Sequence, residues 1–76
     1  MKEMIISINY ISDIKDFIAE AQKVDGAVLV RKGSYCVDGT SILGMLSLDT
    51  SQPIIVSYPE KASNFEKWIS KFKVNR

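Results

Sequence analysis

The chain has 76 residues, of which ten are basic and nine acidic, and the resulting net charge of +1 argues against the strongly basic surface that nucleic-acid binding needs. Because a chain this short buries only about 60 % of the surface that its unfolded form exposes, it has room for one domain, residues 1–76, with one core. Its 46 % hydrophobic and 25 % charged residues are typical of a globular protein and exclude a disordered one.

The first 26 residues have the pattern of a strand followed by a helix. Apolar residues alternate from Met4 to Tyr10, which predicts a strand with Tyr10 packed on the rim of the sheet. Ser12 or Asp13 is the expected N-cap of the helix, and Asp25-Gly26 its end. The helix is indicated by apolar residues at helical spacing: Ile14, Phe17, Ile18 and Ala21.

The middle of the chain has the pattern of a hairpin followed by a short apolar segment. Ala27–Arg31 and Tyr35–Asp38 predict two strands joined by the turn Lys32–Ser34. Ile42–Leu48 is apolar and bounded by polar residues. We interpret it as a helix of one or two turns, although its periodicity also allows a strand.

The last part of the chain predicts a strand and a helix. Ile54–Tyr58 is rich in β-branched residues and is closed by Pro59. Ser63 and Glu66 have the spacing of a capping box, which predicts a helix beginning there. The apolar stripe of this helix, expected to be core, is Phe65, Trp68, Ile69 and Phe72.

The element order is therefore β-α-β-β-α-β-α. Strands separated by helices, with a central hairpin, predict an α+β open-faced sandwich. In this architecture three helices cover one face of a four-stranded antiparallel sheet.

Cysteine content and hydropathy indicate the compartment. Cys36 is the only cysteine, so no internal disulfide can form, whereas small secreted domains usually have several. We expect Cys36 to be a small core or half-buried residue. The apolar run at the N-terminus is too short for a signal peptide, and none approaches the ~20 residues of a membrane span. These features predict a soluble cytoplasmic protein.

The segment from Val37 to Leu48 resembles HPr, the histidine-containing phosphocarrier protein of sugar phosphotransferase systems. In that family a serine at the start of the short second helix is followed by two apolar residues, glycine, two apolar residues and serine-leucine. Ser41–Leu48 has this pattern without gaps. The resemblance implies an HPr-like fold over almost the whole chain, with Gln52–Tyr58 as the fourth strand.

The phosphorylation site of the family is not kept. HPr has a Gly-x-His-Ala-Arg-Pro motif where the first strand meets the first helix, and its histidine carries the phosphoryl group. The resemblance places the histidine position on Tyr10, the arginine position on Ser12 and the proline position on Asp13, and the chain has no histidine. A tyrosine phosphoester is too stable for a reversible relay, and Asp13 adds negative charge where phosphate would lie.

Two features of the short second helix bear on function. The resemblance implies that Ser41 is a candidate for regulatory phosphorylation by an HPr kinase, while a capping role explains the same residue without an enzyme. Ile42, Leu43 and Leu46 correspond to the apolar patch through which HPr contacts its partners. A short helix with five apolar residues cannot bury them all against one sheet, so some are exposed unless a loop or the first helix covers them.

We expect neither enzyme activity nor a bound metal or cofactor. The chain has no histidine, one cysteine, scattered acidic residues and no glycine-rich phosphate loop. The leading hypothesis is an HPr-related protein that binds a protein partner, from the phosphotransferase system or carbohydrate regulation, through the helix starting at Ser41. The alternatives are a regulatory phosphoacceptor modified on Ser41 and a phosphocarrier that uses another residue.

Overall fold

The computed structural model describes residues 1–74 and contains four strands and three helices in the predicted order. Residues 75 and 76 of the predicted domain lie outside the described part. The elements are β1 (Lys2–Ile6), α1 (Ile11–Gln22), β2 (Leu29–Lys32), β3 (Tyr35–Asp38), α2 (Ile42–Leu46), β4 (Ile54–Tyr58) and α3 (Ser63–Ile69), followed by a 3₁₀ turn, Ser70–Phe72. The protein is therefore an α+β protein.

The four strands form one antiparallel sheet in the order β1-β4-β2-β3. β4 lies between β1 and β2, with Ile54 opposite Ile6 and Val56 opposite Val30. The hairpin of β2 and β3 turns through Gly33, whose φ of +59° is a left-handed conformation that glycine adopts without strain. This topology leaves β1 and β3 as the edge strands.

The core lies between the helices and one face of the sheet. The predicted stripe of α1 is buried, and so are alternate strand residues such as Val30 and Val56. The Phe17 ring packs edge-on against the Phe65 ring of α3, with 5.6 Å between centroids. Intervening strand residues, including Ile5 and Leu29, are exposed, so the architecture is compatible with an open-faced sandwich.

The first strand ends four residues earlier than the alternation predicts. β4 begins at Ile54, opposite Ile6, so the residues after Ile6 have no partner strand there. The Ile8 N–H instead donates to the Thr50 carbonyl at 2.7 Å, and the Thr50 hydroxyl donates to the Ile8 carbonyl at 2.9 Å. Tyr10 consequently lies outside the sheet, and the prediction that it packs on the sheet rim is wrong.

Both predicted side-chain caps at the starts of α1 and α3 are wrong. Tyr10 occupies the N-cap position of α1 with no side-chain cap, because the helix begins before Ser12 and Asp13. Ala62 occupies that position in α3, and Ser63 makes no capping bond. The capping box does not form, because the Glu66 carboxylate accepts hydrogen bonds from other donors instead.

Glu66 ties α3 to the sheet. Its carboxylate accepts hydrogen bonds from the buried Tyr58 hydroxyl at 2.7 Å and from the Lys2 ammonium at 3.0 Å. These bonds hold the pKa of Glu66 below its ordinary value of 4.5. Burial and the bond to Glu66 raise the pKa of Tyr58 from 10 to about 12. A buried phenol needs an acceptor, and Glu66 supplies it.

This contact predicts a loss of stability in alkali. A tyrosine in the unfolded chain loses its proton near pH 10, whereas Tyr58 in the folded protein loses its proton near pH 12. The contribution of Tyr58 to the free energy of unfolding is therefore complete below pH 10 and disappears as the pH rises to 12. Urea midpoints measured from pH 8 to 12 should therefore fall less steeply in Tyr58→Phe than in the wild type. Equal slopes for the two proteins would contradict this account.

Cys36 is exposed, contrary to the expected core or half-buried position. It lies on the edge strand β3, opposite Arg31 of β2. Its neighbour Val37 is opposite the buried Val30 and packs on the core. Because side chains alternate along a strand, Cys36 belongs to the outer face of the sheet.

Within residues 1–74, no helix has the length and apolar character needed to span a membrane.

Candidate functional site

The short helix α2 is held against the sheet by its cap and by a close contact at Gly44. The Ser41 hydroxyl oxygen accepts a hydrogen bond from the Gly44 N–H at 3.1 Å, as an N-cap serine does. A Cβ on Gly44 would lie 3.1 Å from the Val37 Cβ, so any other residue here would require the Val37 side chain to shift by a few tenths of an ångström. Met45, the next residue, is completely buried. One side of α2 is thus fixed to the core.

The opposite side of α2 is exposed. Leu43 is 80 % exposed, Leu46 48 % and Ile42 42 %, and we call these three residues the α2 surface. The sequence left open whether a loop or the first helix covers them. In the described part of the chain neither of them covers Leu43, although α1 contacts α2. An exposed apolar cluster of this kind is a feature of contact sites.

The start of α1 adds two further exposed apolar side chains. Tyr10 is 69 % exposed and Ile11 61 %. Sequence reasoning missed Ile11, because an apolar residue three positions before Ile14 has the spacing of the buried stripe. No signal in the pattern shows that the first turn of α1 extends past the core. Ser12 is exposed beside them, and Asp13 is half-buried.

Thr50 connects the start of α1 with the α2 surface. This buried residue lies four positions after Leu46. It forms two hydrogen bonds with Ile8, which lies two positions before Tyr10 in the chain. The predicted site residues of the two helices are therefore on connected neighbouring segments. Tyr10 and Ile11 are exposed apolar side chains in addition to those of the α2 surface.

The chemistry available at these residues is limited. Tyr10 offers a phenol and Ser12 a hydroxyl, and the first turn of α1 carries the negative charge of Asp13. The chain has no imidazole, and residues 1–74 contain no group of three histidine, cysteine, aspartate or glutamate side chains placed to hold a metal ion.

Two clefts of the described residues lie away from this site. One, of about 390 Å³, is between the end of α1 and the start of α3, where Val24 and Phe65 line it. The other, of about 550 Å³, runs along β1 beside Lys67 and Lys73. Neither is lined by Tyr10, Ser41 or a residue of the α2 surface.

The capping role of Ser41 gives a measurable prediction. Ser41→Ala removes the acceptor for the Gly44 N–H and should lower the free energy of unfolding by about 1 kcal/mol. Ser12→Ala is the matched control, because Ser12 caps nothing, and it should change stability by less than about 0.5 kcal/mol. Urea denaturation followed by circular dichroism measures both. Equal effects of the two changes would contradict the capping role, while phosphorylation of Ser41 stays a prediction.

Comparison of the chain with protein-family models, with curated proteins and with solved structures found no match.

Proposed function

We propose that the protein is a divergent relative of HPr without phosphohistidine carrier activity, and that it binds a protein partner through the α2 surface. The order of strands and helices supports the relationship, since it is the order that the resemblance implies. The Ser41 cap also supports it, because the matching segment forms a short helix beginning after that serine.

The loss of carrier activity is argued from the start of α1. A reversible phosphoryl relay needs a side-chain nitrogen that is nucleophilic at neutral pH, and histidine supplies one. Tyr10 stands at the position that the resemblance assigns to that histidine. Asp13, in the first turn of α1, would repel the phosphate that the helix N-terminus could otherwise attract.

The exposure of Leu43 is the observation on which the binding role depends. A leucine that is 80 % exposed contributes little to folding, and two more apolar side chains of the same helix are also exposed. Burying these side chains against a partner would remove apolar surface from water, at roughly 25 cal/mol per Å². We infer a partner with an apolar docking surface, and we propose that it belongs to the phosphotransferase system or to carbohydrate regulation.

The variant Leu43→Glu tests the proposal with little risk of unfolding the protein. A carboxylate at the centre of an apolar interface should weaken binding about thirtyfold, equivalent to the roughly 2 kcal/mol of an interface hot spot. The partner is first identified by capture from a lysate of the source cells. Binding of the purified partner is then measured by calorimetry, with enzyme I of the phosphotransferase system as the first candidate.

Tyr35→Glu is the matched control for charge and exposure. Tyr35 is 72 % exposed and lies on the edge strand β3, outside the α2 surface. The control should keep the affinity of the wild type, and both variants should keep its circular dichroism spectrum. If Leu43→Glu binds as tightly as Tyr35→Glu, the α2 surface is not the docking site.

A further inference from the structure

We draw no further inference here: the strongest candidate, the apolar strip of Ile5, Leu29 and Ile55 on the outer face of the sheet, is partly exposed, but nothing in the structure shows what covers it.

Discussion

Replacing Phe17 with alanine should remove a large part of the stability of the protein. Phe17 is completely buried, and its ring packs against the rings of Phe65 and Trp68 in α3, with centroids 5.6 and 6.5 Å away. Truncating a buried phenylalanine costs about 3–5 kcal/mol. The total stability expected for a chain of this size is only about 4–11 kcal/mol. Urea unfolding followed by circular dichroism should therefore show a much lower midpoint.

Phe72→Ala is the control for this prediction. Phe72 also packs against Trp68, with 5.4 Å between ring centroids, but it lies in the terminal 3₁₀ turn and is only half-buried. Because its ring is already partly in water, the loss of stability should be clearly smaller. A loss for Phe17→Ala equal to that for Phe72→Ala would show that Phe17 is not the centre of the packing between α1 and α3.

The second prediction with a large expected effect is that the protein accepts no phosphoryl group from enzyme I. Incubated with enzyme I and labelled phosphoenolpyruvate, the protein should take up no acid-labile phosphate, because no side chain of the chain can form a phosphohistidine. An authentic HPr in the same mixture should be labelled, which shows that the donor is active. The measurement is label retained on the protein, together with its intact mass.

A mass increase in that experiment would count against the proposed function. Tyr10→Phe and Ser41→Ala would then identify the acceptor, since each removes one of the two hydroxyls at positions aligned with phosphorylation sites of the family. Label that passes from the protein to a downstream carrier would establish relay activity. The proposal that the protein works only by contact would then be wrong.

Much of the fold could be predicted from local pattern. β3, β4 and the buried stripe of α1 have the predicted residues, because β-branched runs and helical spacing report directly on which side chains are buried. Boundaries depend on partners elsewhere in the chain. The end of β1 is set by where β4 begins and by Thr50, 42 residues after Ile8, and no local pattern contains that information.

Competition between partners explains the failed cap of α3. Ser63 and Glu66 have the right spacing, but the buried Tyr58 hydroxyl and the Lys2 ammonium are alternative donors to the Glu66 carboxylate. Because the carboxylate accepts from these two donors, it does not reach back to the first turn of α3. Lys2 is 64 residues away in sequence, which places it beyond any capping pattern.

The candidate site was predictable in part. The Ser41 cap follows from residue type and position, and the surplus of apolar residues in α2 indicates that some are exposed. Which residues those are depends on how α2 packs against β3, where Gly44 lies close to Val37. Tyr10 was predicted to pack on the sheet and is exposed, because the strand that would carry it ends at Ile6.

The central place of β4 has a consequence for how the protein is made. Among the strands of residues 1–74, β4 is the only one that pairs with β1, and β2 also lies next to β4, yet β4 begins at residue 54. While the ribosome is still adding the first 53 residues, β1 has no strand to pair with, and only the hairpin of β2 and β3 can assemble locally. Sheet assembly therefore has to wait for the last third of the chain, and the distant pairing between β1 and β4 should slow its folding.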